Sequence, residues 1–267
     1  MNILIDPVAF SIPLPFLGWW PVHWYGISWL SGILGIHWYA KRIVTSNSPF
    51  TKDDIEDFLF YGVLGAIIGG RIGYMFFYGI DQIFYDPLSI FKVWEGGLSF
   101  HGGLLGVLTS FLLFTRKLNI NFFQLSDHIA LAFPIGLGCV RIGNFLGGEL
   151  LGRPTDLPWG MTFWSDPLQL NRHPSQLYQA FFEGLVLFII LFWFSRKPRP
   201  RMFLSGLFLA IYGLFRIITE VFRMPDAHIG FDFLDIITRG QLLSIPMVIF
   251  GLILLILSNR NRNETVS

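Results

Sequence analysis

Residues 241–258 read QLLSIPMVIFGLILLILS, an apolar run without a charge, and Arg260 and Arg262 follow it. An α-helix rises about 1.5 Å per residue, so roughly 20 such residues cross about 30 Å of hydrocarbon. The run predicts a membrane-spanning helix. Working back along the chain, six more segments follow the same pattern. They are approximately Met202–Phe222, Ser175–Ser195, Ser126–Gly143, Leu98–Thr115, Asp57–Tyr78 and Trp19–Ala40. The expected fold class is an all-α integral membrane protein, a single polytopic domain over residues 1–267 with seven transmembrane helices.

Composition agrees. Of 267 residues, 53% are hydrophobic and only 14% charged, and mean hydropathy is +0.56. A soluble domain carries nearer a quarter charged residues. The 9 Trp suit membrane–water interfaces, where an amphipathic ring satisfies both phases. A net charge of +1 gives no reason to expect a nucleic-acid partner. The single cysteine, Cys139, excludes intrachain disulfides and thiolate metal cages. It lies in the apolar run 137–140 and reads as a buried structural thiol. Residues 1–7 hold Asp6 and no Lys or Arg, so they lack the basic start of a cleavable signal peptide. The first span is therefore expected to stay.

Basic residues give the orientation. Lys41, Arg42 and Lys52 follow the first span, Arg116 and Lys117 the third. Arg196, Lys197, Arg199 and Arg201 separate the fifth and sixth. These alternate loops are expected in the cytoplasm, which puts the N-terminus outside and the C-terminus inside. Seven spans satisfy that parity. The loop from about 144 to 174 then lies outside, and Pro154, Pro158, Pro167, Trp159 and Trp164 suit a folded cap there. The loop 222–240 is external too. No repeat relates the two halves of the chain, which weakens a transporter reading. Gly65, Gly69 and Gly73, like Gly102 and Gly106, recur every four residues and predict close helix packing.

Charges inside apolar spans are the informative residues: Arg71 in the second, Arg141 ending the fourth, Arg216 in the sixth. An arginine at a helix centre costs about 2.5–3.5 kcal/mol to insert, so each calls for a partner. Glu220 lies four residues after Arg216 and shares its helix face, which Arg223 continues. Three arginines against few acids leave surplus positive charge near the outer half of the bilayer. A lipid phosphate would meet it, because guanidinium matches phosphate with two parallel hydrogen bonds.

Arg141 and Asn144, three apart in Arg141-Ile142-Gly143-Asn144-Phe145-Leu146-Gly147-Gly148-Glu149, are candidates to face one cavity. His101 stands between the glycine pairs 96–97 and 102–103. Imidazole changes charge near neutral pH and is a candidate proton carrier. Packing is the competing role for His101. The Tyr25 hydroxyl is a headgroup candidate, although an interfacial tyrosine needs no such role. Asp127 reads as charge compensation at a helix N-terminus. His23, His37, His128 and His228 show no metal-ligand spacing.

The run Gly138-Cys139-Val140-Arg141-Ile142-Gly143-Asn144-Phe145, continued by Gly148-Glu149-Leu150, resembles the signature of bacterial phosphatidylglycerol–prolipoprotein diacylglyceryl transferases. Four further segments are similar to that family: 94–103, 152–160, 172–178, and Phe215-Arg216 to Glu220 with Arg223 and Pro225-Asp226. Three positions depart from it. Gly147, Leu151 and Gln179 stand where the family commonly has Asn, Trp and Glu.

The resemblance implies a seven-helix inner-membrane enzyme whose site faces the periplasmic leaflet. It implies that phosphatidylglycerol donates its diacylglyceryl group to the lipobox cysteine of a prolipoprotein signal peptide, leaving a thioether and glycerol phosphate. No metal or soluble cofactor is required. Under that reading the catalytic candidates are His101, for the thiol proton, and Arg141 and Arg216, for the phosphate. Tyr25, Asn144, Glu149, Glu220 and Arg223 are the substrate-binding candidates. Glu149 either positions an arginine or binds glycerol hydroxyls. Thiol activation by the arginine field alone is the alternative to His101. Two other classes predict different behaviour. A lipid scramblase or transporter would move lipid without a covalent product, and a non-catalytic scaffold would use the arginines only to pair with acids.

Overall fold

The fold was read from a computed structural model that describes residues 2–3, 5–15, 18–225, 231–233 and 237–264. Asp226 and His228, both singled out from the sequence, lie outside the described residues. The chain divides into two compact units, Met1–Trp38 with Asp127–Ser267, and Tyr39–Ser126.

Each expected span contains a helix. The helices are α1 (Trp24–Arg42), α2 (Lys52–Phe77), a short α3 (Ile80–Tyr85), α4 (Phe100–Lys117) and α5 (Phe122–Leu146). Then come α6 (Ser175–Gln179), a π-helical stretch Ala180–Val186 and α7 (Leu187–Ser195), which continue one another, and finally α8 (Phe203–Glu220) and α9 (Arg239–Glu264). Among the described residues, five helices are long and apolar enough to cross a membrane: α2, α5, the continuous Ser175–Ser195, α8, and Arg239–Arg260 of α9. Their outer faces carry bare apolar side chains such as Phe76, Trp193 and Ile256, each more than half exposed. Water does not tolerate so much apolar surface, and lipid does. The chain is a multi-pass membrane protein.

The protein is mostly helical, as expected, and six short strands accompany the helices among the described residues. These are β1 (Asn2–Ile3), β2 (Val8–Leu14), β3 (Gly18–His23), β4 (Thr162–Phe163), β5 (Phe231–Phe233) and β6 (Ile237–Thr238). β2 and β3 form an antiparallel hairpin with Val8 opposite His23 and Ile12 opposite Trp20. It occupies the start of the first expected span. Pro21, which has no N–H and fixes its own φ, bars a helix from running through it. The helix starts at Trp24 instead, whose N–H donates to the Pro7 carbonyl at 3.0 Å.

In the unit Tyr39–Ser126, α2 begins with a reciprocal cap: Thr51 Oγ1 accepts from the Asp54 N–H at 3.1 Å, and Asp54 Oδ2 accepts from the Thr51 N–H at 2.7 Å. α2 packs on α4 through the predicted glycines. A Cβ on Gly65 would sit 2.6 Å from the Gly106 carbonyl oxygen, and one on Gly73 2.8 Å from the Gly102 Cα. Backbone meets backbone along this seam, as small residues allow in lipid.

Arg71 is buried in the same unit and donates to backbone carbonyls. Nη1 donates to the carbonyl of Gly96, and Nη2 to that of Ser89 at 2.5 Å. Gly96 and Gly97 both have left-handed φ, +82° and +75°, and a Cβ on Gly97 would strike the Tyr74 ring. Arg71 therefore pins the turn that leads into α4. The loop carbonyls take up its two terminal nitrogens, and Nε has no acceptor among the described residues.

In the other unit, α8 and α9 pack through Gly206, Gly213 and Gly251. Asp127 is not at the start of its own helix, because α5 begins at Phe122. Its carboxylate instead caps α8 from the side. Oδ2 accepts from the Met202 N–H at 2.9 Å, and Oδ1 from the Ser205 N–H at 2.7 Å and the Ser205 hydroxyl at 2.6 Å.

Candidate active site

The unit containing α5 to α9 gathers most of the sequence candidates. Gly138 on α5 and Gly184 in the π-helical stretch bring two backbones together; a Cβ on Gly184 would lie 2.7 Å from the Gly138 Cα. That approach lets Arg141, one turn along α5, reach Glu183. Both Arg141 Nε (3.2 Å) and Nη2 (3.1 Å) donate to Glu183 Oε2. The other oxygen, Oε1, accepts from the Thr219 hydroxyl at 3.1 Å and lies 3.8 Å from Arg216 Nη1. Glu183 is completely buried.

Arg216 closes the network. Its Nη2 lies 2.7 Å from Glu220 Oε2, the pair the i,i+4 spacing predicts. Glu220 Oε1 lies 3.6 Å from Arg223 Nη1. A Cβ on Gly240 would come within 2.7 Å of this carboxylate, so α9 offers bare backbone where Glu220 turns. Arg216 Nη1 is buried and makes no hydrogen bond among the described residues. Tyr212, one turn before Arg216, is within electrostatic reach of Arg141, Glu183 and Arg216.

Asn144 and Glu149 form a second pair near the end of α5, with Asn144 Nδ2 donating to Glu149 Oε2 at 3.0 Å. Gln176 Nε2 donates to the Glu149 carbonyl at 2.5 Å and ties α6 to it. Tyr25, in the first turn of α1, stands beside this end: a Cβ on Gly143 would lie 3.5 Å from the Tyr25 Cα. Its ring is partly exposed and meets Trp29 edge-on. His101 belongs to the other unit, exposed in the first turn of α4, whose cap is the Ser99 hydroxyl accepting from the Gly102 N–H at 3.4 Å.

Between α5 and α6, residues 147–174 form a folded cap. Gly148 has φ +63°, and a Cβ there would collide with Ser165 and Trp164. Arg172 holds Asp166 in a two-point clasp, Nε to Oδ2 at 2.8 Å and Nη2 to Oδ1 at 2.9 Å, with both side chains buried. The Arg172 guanidinium pulls the Asp166 carboxyl down to about 2. The cap joins the end of α8 through backbone: the Arg153 N–H donates to the Phe222 carbonyl at 2.9 Å, and the Met224 N–H to that of Leu151 at 3.0 Å.

The expectation of few acids for the arginines is corrected by Glu183. It is the only carboxylate in the apolar run Ser175–Ser195. The rule that singled out the arginines, an ionisable group inside a span, applies to it equally. Gln176 and Gln179, both fully buried, were not among the site candidates, although Gln179 stood out as a departure from the family. A glutamine in a span costs less than a charge and makes a weaker signal.

Fold and site together define a polytopic membrane protein with a buried guanidinium–carboxylate network next to the folded segment 147–174. Comparison with known families matches residues 7–257 to the family described as Prolipoprotein diacylglyceryl transferase. The chain belongs to the prolipoprotein diacylglyceryl transferase family. It is similar to the phosphatidylglycerol–prolipoprotein diacylglyceryl transferase of Teredinibacter turnerae, with 49% identity over 96% of this chain and 92% of the relative. The proteins of the same name from a Marinomonas species and from Azotobacter vinelandii are each 50% identical over 92% of this chain, covering 90% and 92% of their own lengths.

Proposed function

We propose that this protein transfers the diacylglyceryl group of phosphatidylglycerol to the lipobox cysteine of prolipoprotein signal peptides. The cysteine sulfur bonds to the glycerol carbon that carries the phosphate ester. The carbon–oxygen bond breaks, and glycerol phosphate leaves with the electron pair. The thiol proton must go to a base. Family membership and the names of the relatives support the reaction. The observation that carries the site is Arg216 Nη1, a buried donor with no hydrogen-bond acceptor among the described residues, in a network shared with Arg141.

Arg141 and Arg216 bind the phosphate and stabilise the charge that builds on the leaving oxygen, where fixed cations act most strongly. Glu183 and Glu220 hold those guanidinium groups in place, with Arg223 completing the chain of ion pairs. Tyr25, Asn144 and Glu149 orient the headgroup. His101 takes the thiol proton; its exposure at a helix start, after a turn fixed by Arg71, suits a group that meets a peptide substrate.

The same reading gives seven spans, the N-terminus on the periplasmic side, the C-terminus in the cytoplasm, and the 147–174 cap over the outer leaflet of the bacterial cytoplasmic membrane. The placement of basic residues after α1, α4 and α7 supports it. The test is to incubate the purified protein with phosphatidylglycerol and a lipobox peptide and to weigh the peptide. A gain equal to one diacylglyceryl group is expected. Lipid movement across vesicles with no change in peptide mass would refute the transferase reading.

A further inference from the structure

Gln179 is fully buried, and neither atom of its amide has a hydrogen-bond partner among the described residues. The side-chain oxygens of Gln176 and Asn144 are buried and unpartnered in the same way. A buried polar atom left without a partner loses its water and gains nothing, so such atoms are rare unless something else fills the role.

Their placement is coherent. Gln176 is tied to the Glu149 carbonyl, and Asn144 to the Glu149 carboxylate. Glu183, four residues after Gln179, binds Arg141. Gln179 therefore lies on its helix between the Asn144–Glu149 pair and the Arg141–Glu183 pair. The open groups are one amide donor and three carbonyl acceptors. Carbonyl acceptors repel an anion, and a cation would stand close to a guanidinium. A hydroxyl both gives and accepts hydrogen bonds, and it suits this mixture.

We propose that Gln179, flanked by Gln176 and Asn144, reads the free hydroxyls of the donor lipid's glycerol headgroup, while the arginines take its phosphate. The inference rests on the transferase reading above and assigns the headgroup selectivity of that site. The chain's departure from the family at this position keeps a carbonyl acceptor and adds a donor, so it alters the hydrogen-bond pattern and keeps the site polar.

The test compares kcat/KM for phosphatidylglycerol with that for phosphatidylpropanol of the same acyl chains, which keeps the phosphate and lacks the free hydroxyls. The wild type is expected to favour phosphatidylglycerol about tenfold or more, as sites built to bond a hydroxyl do. Gln179→Leu should bring the two lipids within about threefold by losing the better one, and Gln179→Glu should keep the preference. Gln179→Met, close in length and volume, repeats the measurement if the Leu variant does not survive purification. Equal slowing of both lipids with an unchanged ratio would make Gln179 a packing residue and overturn the inference. So would a wild type indifferent to the hydroxyls. Absence of product from either lipid in the wild type would instead strike the transferase reading.

Discussion

One oxygen of Glu183 accepts both Nε and Nη2 of Arg141, so the guanidinium is gripped edge-on by a carboxylate with no contact with water. The other oxygen serves Thr219 and faces Arg216. Removing one partner from a buried ion pair leaves the other charge stranded, at a cost of about 3–5 kcal/mol. Glu183→Gln keeps the shape and loses the charge. It should lower the thermal midpoint in detergent and cut transfer at least about tenfold, equivalent to about 1.4 kcal/mol. Midpoint and rate unchanged in this variant would mean that the two arginines need no common anchor.

Lysine keeps the charge of arginine and loses the planar fork. Arg141→Lys gives up the two-donor contact with Glu183, and Arg216→Lys the Nη2 contact with Glu220. Each should reduce kcat/KM for phosphatidylglycerol by about a hundredfold, the scale on which single transition-state donors act. Near-normal transfer in both variants would leave simple positive charge as the whole requirement.

His101→Gln separates proton transfer from charge stabilisation. If the imidazole takes the thiol proton, the variant should lose about 10²–10⁴-fold in rate. A peptide whose thiol is made more acidic should recover part of that loss. A variant with full activity and an unaltered pH profile would hand thiol activation to the arginine field.

The cap has its own pH signature. With its folded value held near 2, below the ordinary carboxylate range, Asp166 contributes stability that is complete above about pH 4 and drains away as pH falls through 2. Asp166→Asn should be less stable than the wild type at neutral pH, because Arg172 stays buried without its counter-ion. The two thermal midpoints should converge between pH 4 and pH 2. A gap that holds constant over that window would show that the clasp does not titrate.

Much of this was legible in the sequence. Each apolar run marked a helix, five of them long and apolar enough to cross a membrane among the described residues, and the spacing of Arg216 and Glu220 gave their ion pair. The hairpin 8–23 was hidden because Trp19 and Trp20 look like the start of a span, and only Pro21 argued otherwise. Arg71 resembled Arg141 in pattern. What separates them is where the turn 89–97 folds, a long-range outcome that periodicity does not carry. Glu183 was plain to see as a carboxylate in a greasy run. Its role depends on the contact between Gly138 and Gly184, which joins two segments far apart along the chain.

The wide π-helical turn at 180–186 also limits what length changes the gene can tolerate. Such a turn holds one residue more than an α-helical turn, and each residue of an α-helix turns the chain by about 100°. Deleting a single residue there would close the turn without removing any polar group. Because the wide turn already absorbs one residue, that deletion would leave Ser175–Gln179 near their present side relative to α7, whereas a further residue left unabsorbed would swing them by about that angle and part the two glutamines from Glu183. Natural chains of this kind should therefore keep Glu183 and Gly184, vary in side chain elsewhere across 180–186, and gain residues there less readily than they lose one.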